Sequence, residues 1–259
     1  MIKFSRIEYC RILIGGITLE NFYVYIFIIL VASILQTSTG FGFSILATPF
    51  LLMIFNPHEA IQINIILSLI ISCALIMKIK KDIDKHLLKK LVLGSIIGIP
   101  FGGLIYISID ISTFKIVISI ILLILTLLLI LNISFKSTTV RDYIIGGLSG
   151  LLTISIGMPG PPLLIYFAGT KSVKERTRAT TLAFYLFIYF ISLVSQIFLT
   201  GTEMIIWRSS LYAIPVVFIG LIIGQVLFKH LNQKAFRIFT YILLGCTGIF
   251  LLLDSILSR

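Results

Sequence analysis

The stretches QTSTGFGFS, Gln36 to Ser44, and SIGMPGPPL, Ser155 to Leu163, interrupt two long apolar runs with residues that a continuous helix avoids. Gly40, Gly42, Gly157 and Gly160 open backbone conformations closed to other residues, while Pro159, Pro161 and Pro162 remove amide donors. An apolar run follows each interruption, the first containing Pro49, and a short polar stretch follows each run: NPHEA at Asn56 to Ala60 and SVKER at Ser172 to Arg176. Three ordinary apolar segments come next in each case, so the chain reads as a duplicated unit of one broken segment plus three helices.

The surroundings of these breaks fix the solvent. Of the 259 residues, 58% are hydrophobic and 12% charged, and the mean hydropathy is +1.13, which excludes a soluble domain. Eight apolar segments can be read, at 22–55, 61–79, 87–107, 114–133, 143–168, 181–199, 205–228 and 236–257. Each is long enough for a bilayer core about 30 Å thick, which needs roughly 20 residues of helix. None alternates with period two over ten residues, so an outer-membrane barrel is excluded and the backbone must satisfy itself within helices. The expected fold is all-α: a polytopic membrane protein with an N-terminal polar segment at 1–21, a first repeat at 22–133, a connecting loop at 134–142 and a second repeat at 143–257.

The net charge of +11 comes from Lys and Arg in short loops, not from an aromatic-studded face, so nucleic acid is not an expected partner. It reports orientation instead. The loop Lys78 to Lys90 carries six Lys, and its counterpart Gly201 to Arg208 a single Arg; Asn56 to Ala60 carries none, and Gly169 to Thr180 four. Lys115 stands alone against Lys229, Lys234 and Arg237 in the third pair. Equivalent loops then lie on opposite sides of the membrane, which predicts inverted repeats with two re-entrant hairpins. Lys3, Arg6 and Arg11 fall outside the cell in that scheme, and a plain eight-helix topology remains the alternative. A cleaved signal peptide is not expected, because the apolar run from Phe22 continues without a small-residue cleavage site.

A break in mid-membrane leaves backbone groups unsatisfied unless protein or a polar cavity accommodates it, so breaks mark candidate sites. In the first, Gln36, Thr37, Ser38, Thr39 and Ser44 offer polar side chains around Gly40 and Gly42, and a half-helix starting near Ser44 presents free amides to an anion. In the second, Gly157, Met158, Pro159, Gly160 and Pro161 open another, so that two half-helix N-termini are expected to face one another near the midplane. Arg178 and Thr181, in RATT, lie at the mouth of the sixth segment, where a guanidinium forms either a bidentate oxyanion contact or a lipid anchor. Gln62 and Asn64 hold the related position in the first half. Gly94, Gly98, Gly102, Gly220 and Gly224 recur every four residues and are expected to pack helices, with Gln196 and Gln225 as interhelical hydrogen-bond formers.

Cys10, Cys73 and Cys246 have no ligand spacing and read as small core residues; no metal and no cofactor is expected. No acidic residue is expected deep in a segment, and His58, His86 and His230 fall in loops, so an intramembrane enzyme lacks its acid–base equipment.

At GFGFSILATP, Gly40 to Pro49, at GMPGPPLLIYF, Gly157 to Phe167, and at KERTRATT, Lys174 to Thr181, the sequence resembles the sulfite exporter TauE/SafE family, the toluene sulfonate uptake permeases. The resemblance extends from about Phe22 to Leu257 and implies two related halves and transport of sulfite, organosulfonates or other small organic anions. Where the commonest family pattern has three successive glycines, Phe41 and Phe43 flank Gly42 here, which implies a pocket narrowed or reshaped by rings. The resulting expectation is a multi-pass inner-membrane transporter whose partners are a small anion and lipid, with no catalytic residues. A non-transporting assembly or regulatory subunit is the alternative.

Overall fold

The computed structural model describes residues 19–108, 138–170 and 172–230, with isolated positions among 116–127 and 238–253. Among the described residues the regular structure is helical: α1 (Leu19–Thr39), α2 (Phe43–Leu51), α3 (Pro57–Ile79), α4 (Lys85–Ser108), α5 (Thr139–Ile156), α6 (Gly160–Thr170), α7 (Lys174–Thr200) and α8 (Met204–His230). Five of them, α1, α3, α4, α7 and α8, are long and apolar enough to cross a membrane. The protein is thus a polytopic α-helical membrane protein. The predicted segments at 114–133 and 236–257 lie for the most part outside the described residues, as do Lys3, Arg6 and Arg11.

Local chemistry sets the boundaries. NPHEA is not a loop: Pro57 opens α3, and the Glu59 carboxylate accepts from the Asn56 amide at 3.0 Å. Thr138 caps α5 by accepting from the Arg141 amide, so the last residues of the expected 134–142 loop are helical. Gly157, at φ 72°, ends α5 in the left-handed conformation that lets Met158 and its own amide close back onto Leu152 and Thr153. Gly40, at φ 83°, ends α1, and the Thr39 hydroxyl holds the turn by donating to the Leu35 carbonyl and accepting from the Phe41 amide.

Long-range contacts sort the helix ends into two groups. At one end the α3–α4 turn lies beside the start of α7, with the Asp84 amide donating to the Thr180 hydroxyl at 3.0 Å. A surface cavity of about 510 Å³ there is lined by Lys81, Lys85 and Arg176 together with Asp82, Asp84 and Glu175. At the other end the Gln62 amide donates to the Gly201 carbonyl at 2.9 Å, and the His58 and Tyr106 rings meet edge to face. The first end is the basic one.

Both broken segments are hairpins. The α1–α2 hairpin leaves from the non-basic end, where Tyr25 donates to the Ser209 carbonyl, and returns there, with Phe55 5.6 Å from the Tyr25 ring. The α5–α6 hairpin leaves and returns at the basic end: Asp142 in the first turn of α5 accepts from Lys90 at 2.9 Å and from the Tyr166 hydroxyl of α6 at 2.7 Å. Asp142 is thus buried and helical, at the end of its segment and not deep within it. Burial is possible because Lys90 neutralises it. Asp142→Asn is expected to lower stability by roughly 2 kcal/mol, because Lys90 loses its counter-charge but stays partly hydrated. Thermal unfolding in detergent measures it, and an unchanged melt would show that the pair ties nothing.

The expected glycine packing holds, and its pattern is reciprocal. A Cβ on Gly94, Gly98 or Gly102 of α4 would collide with the carbonyl oxygens of Tyr143, Gly147 and Leu151 on α5. On α8, a Cβ at Gly220 or Gly224 would lie 2.5 and 2.6 Å from the Cβ atoms of Ser33 and Thr37 on α1. Each half therefore grips the hairpin of the other, while α3 and α7 pass antiparallel through the centre. Gln196 donates to the Ile154 carbonyl and Gln225 accepts from Lys78, as expected of interhelical polar groups. Cys73 is exposed on α3 rather than packed in the core, and Cys10 and Cys246 lie outside the described residues.

Candidate functional site

The first break is built around α7. A Cβ on Gly40 would sit 2.9 Å from the Arg178 Cα, so only glycine lets the end of α1 touch α7 at this point. Gly42, at φ 105°, occupies the N-cap of α2 and offers no side-chain acceptor. The first bond of α2 runs from the Leu46 amide to the Gly42 carbonyl, which leaves the amides of Phe43, Ser44 and Ile45 without an acceptor inside the helix. The Ser44 hydroxyl lies 2.5 Å from that of Tyr189 on α7.

The second break is built around α3. Asn64 donates to the Gly157 carbonyl at 2.7 Å, and a Cβ on Gly157 would meet the same amide nitrogen at 2.8 Å. Met158 is fully buried behind it. Gly160 opens α6 beneath the Tyr185 hydroxyl, which lies 2.7 Å from where its Cβ would be. Pro161 and Pro162 complete the first turn, so this helix start carries far fewer free N–H groups than that of α2.

The two helix starts do not meet head to head as expected. Phe41 meets Phe167 at a tilt, with ring centroids 6.2 Å apart, and Ile45 lies against Gly160, so α2 and α6 run past one another in opposite directions. The physical reason is that the hairpins enter from opposite ends and overlap in depth.

Between them, α7 presents one buried polar stripe: Arg178, Thr181, Tyr185, Tyr189, Ser192 and Gln196, spaced by three or four residues and hence on one helix face. The opposing α3 presents Asn64, Ser68 and Ser72, also fully buried. Several polar atoms along this seam have no partner: Asn64 Oδ1, Arg178 Nε, Thr181 Oγ1 and Ser192 Oγ among them. Such atoms each cost about 1–3 kcal/mol unless a water or a ligand meets them.

The structure brings Gly40, Gly42 and Ser44 together with Arg178 and the α7 stripe, and Gly157 with Asn64. It separates others. Gln62 is spent on Gly201 at the non-basic end, Gln36 donates to the Ser68 carbonyl and Ser72 hydroxyl, and Ser38 bonds within its own helix to Leu35. Arg178 is buried near the basic end, with its guanidinium 4.2 Å from the Phe228 ring centre. Tyr185, Tyr189, Ser68, Ser72 and Ser192 join the candidate set without having been singled out in the sequence. For the α7 residues the signal was the spacing, since Tyr185, Tyr189 and Ser192 follow Arg178 and Thr181 at intervals of three or four.

A cavity of about 400 Å³ at the basic end reaches toward this seam, lined by Asp84, Leu87, Tyr166, Phe167, Thr170 and Arg176. Phe167 belongs both to its wall and to the ring pair with Phe41, so two phenylalanines stand between the cavity and the first break.

Comparison with curated proteins and with solved structures gives no match. Residues 25–251, nearly the whole described architecture and both breaks, match the family model described as Sulfite exporter TauE/SafE, and the chain therefore belongs to that family.

Proposed function

We propose that this membrane transporter carries a small oxyanion, such as sulfite or an organosulfonate, across the inner membrane by alternating access around the first break. The observation that carries this is the buried seam of unpartnered polar atoms between α3 and α7, beside the free amides at the start of α2, with the backbone of Arg178 against Gly40 at the first break. The seam and the amides supply donors to a negative guest. The family supports transport over enzyme activity, and the α7 stripe holds hydroxyls, an amide and one cation but no acid–base pair.

The halves are proposed to be inverted repeats. Support comes from the α1–α2 and α5–α6 hairpins opening at opposite ends, and from the adjacency of the Lys78–Lys90 and Gly169–Thr180 loops. With the basic end in the cytoplasm, single cysteines at Lys81 and Val173 in a cysteine-free background both label from the cytoplasmic side. Labelling from opposite sides would reject the inversion.

Purified protein in liposomes tests the function with sulfite, sulfate, sulfoacetate, thiosulfate and small carboxylates. At least one is expected to move well above protein-free vesicles. Export needs no pump, since expelling one negative charge from a negative-inside cell gains roughly 2.3 kcal/mol per 100 mV. If none moves, the chain is a non-transporting subunit.

A further inference from the structure

We infer that the site admits singly charged oxyanions and rejects doubly charged ones, an inference that rests on the transport proposal above. Its basis is the charge inventory of the interior. From Asn21 to Thr39, Ile61 to Met77, Gly160 to Thr170 and Arg178 to Thr200, the described helices contain no Asp, Glu, Lys or His, and Arg178 is the one ionised side chain. Two buried carboxylates lie at the edges: Asp142 at the basic end, neutralised by Lys90, and Glu59 at the other, held by the Asn56 amide in the first turn of α3. All other donors along the seam are neutral: the hydroxyls of Ser44, Thr181, Tyr185 and Tyr189, and the first amides of α2. Among the described residues of these helices, the positive charge available to a guest is thus one unit from Arg178 plus about half a unit from the α2 dipole.

A monoanion is balanced by that charge. A dianion leaves the interior negative, and its dehydration cost, which grows with the square of the charge, is about four times that of a monoanion of the same size. Neutral hydroxyls and amides cannot supply the difference, because they also hydrogen-bond the monoanion. Sulfite titrates around neutral pH, so the transported species is hydrogensulfite. Each turnover then moves one proton on the substrate itself, and no protein carboxylate is needed as a relay. A sulfonate, singly charged at every working pH, fits the same site without a proton. Sulfate does not fit.

The test measures initial uptake of methanesulfonate, sulfate and sulfite into proteoliposomes from mildly acid to mildly alkaline pH. Methanesulfonate flux is expected to be flat with pH, sulfite flux to follow the hydrogensulfite fraction and fall about tenfold per pH unit on the alkaline side, and sulfate flux to stay at background. Arg178→Gln is expected to lower methanesulfonate flux at least about tenfold, and Arg178→Lys to restore part of it. Sulfate moving as fast as methanesulfonate, sulfite flux rising with pH, or normal methanesulfonate flux in Arg178→Gln would overturn charge selection while leaving transport intact. Absence of flux for every anion removes the transport proposal itself, and this inference with it.

Discussion

Gly98→Val inserts into the membrane but loses upwards of about 3 kcal/mol of stability, because a side chain there meets backbone and not a yielding side chain. Its Cβ would fall on the Gly147 carbonyl oxygen and within 2.9 Å of the Leu151 amide, so α4 and α5 must separate along their whole glycine-lined contact. Gly103 on the same helix provides the comparison. A Cβ there meets only Leu199 and Ile154 side chains at 3.4 and 3.9 Å, and Gly103→Ala is expected to melt close to the wild type. Equal melting of the Gly98 and Gly103 variants in detergent would mean that the α4–α5 contact is not a principal source of stability.

Gly40→Ala reduces flux more than tenfold with insertion preserved. Two effects combine at Gly40: a φ of 83°, which costs an L-residue about 1–2 kcal/mol, and a Cβ 2.9 Å from the Arg178 Cα, which pushes α7 away from the first break. Gly201 separates them. It also has positive φ, at 80°, but nothing lies within 4 Å of its Cβ position, so Gly201→Ala carries the strain without the displacement. Flux per reconstituted molecule is expected to fall sharply in the first variant and by less than twofold in the second. If both variants lose flux alike, the close approach of Gly40 to α7 is irrelevant to transport.

The two breaks were legible in the sequence because glycine and proline act on the backbone locally, and Gly40, Gly42 and Gly157 do adopt the positive φ that only their lack of a Cβ allows. The glycine stripes were legible for a similar reason, since a four-residue period survives any tertiary arrangement. What they would pack against was not. Nothing local says that α4 grips α5 and α8 grips α1, because that choice depends on the path of the whole chain. Asp142 was hidden by its position beside Arg141 at the edge of an apolar run, where a surface loop is the ordinary expectation; only Lys90 and Tyr166, 52 and 24 residues away, make burial possible. Tyr185 and Tyr189 were passed over because aromatic residues are unremarkable in a membrane helix. Their hydroxyls became significant once Gly160 and Ser44 were found against them. The side-by-side overlap of α2 and α6 was beyond the sequence, which marks where a helix restarts but not how far its hairpin has penetrated.

The reciprocal grip of α4 on α5 and of α8 on α1 also bears on which pieces travel together. Each hairpin is held by a helix distant in sequence, α1 by α8 and α5 by α4, with α3 and α7 packed together between the two pairs. A fragment ending before α5 would leave the glycine groove of α4 without the backbone that fills it, so it is expected to be held far less firmly than the whole chain.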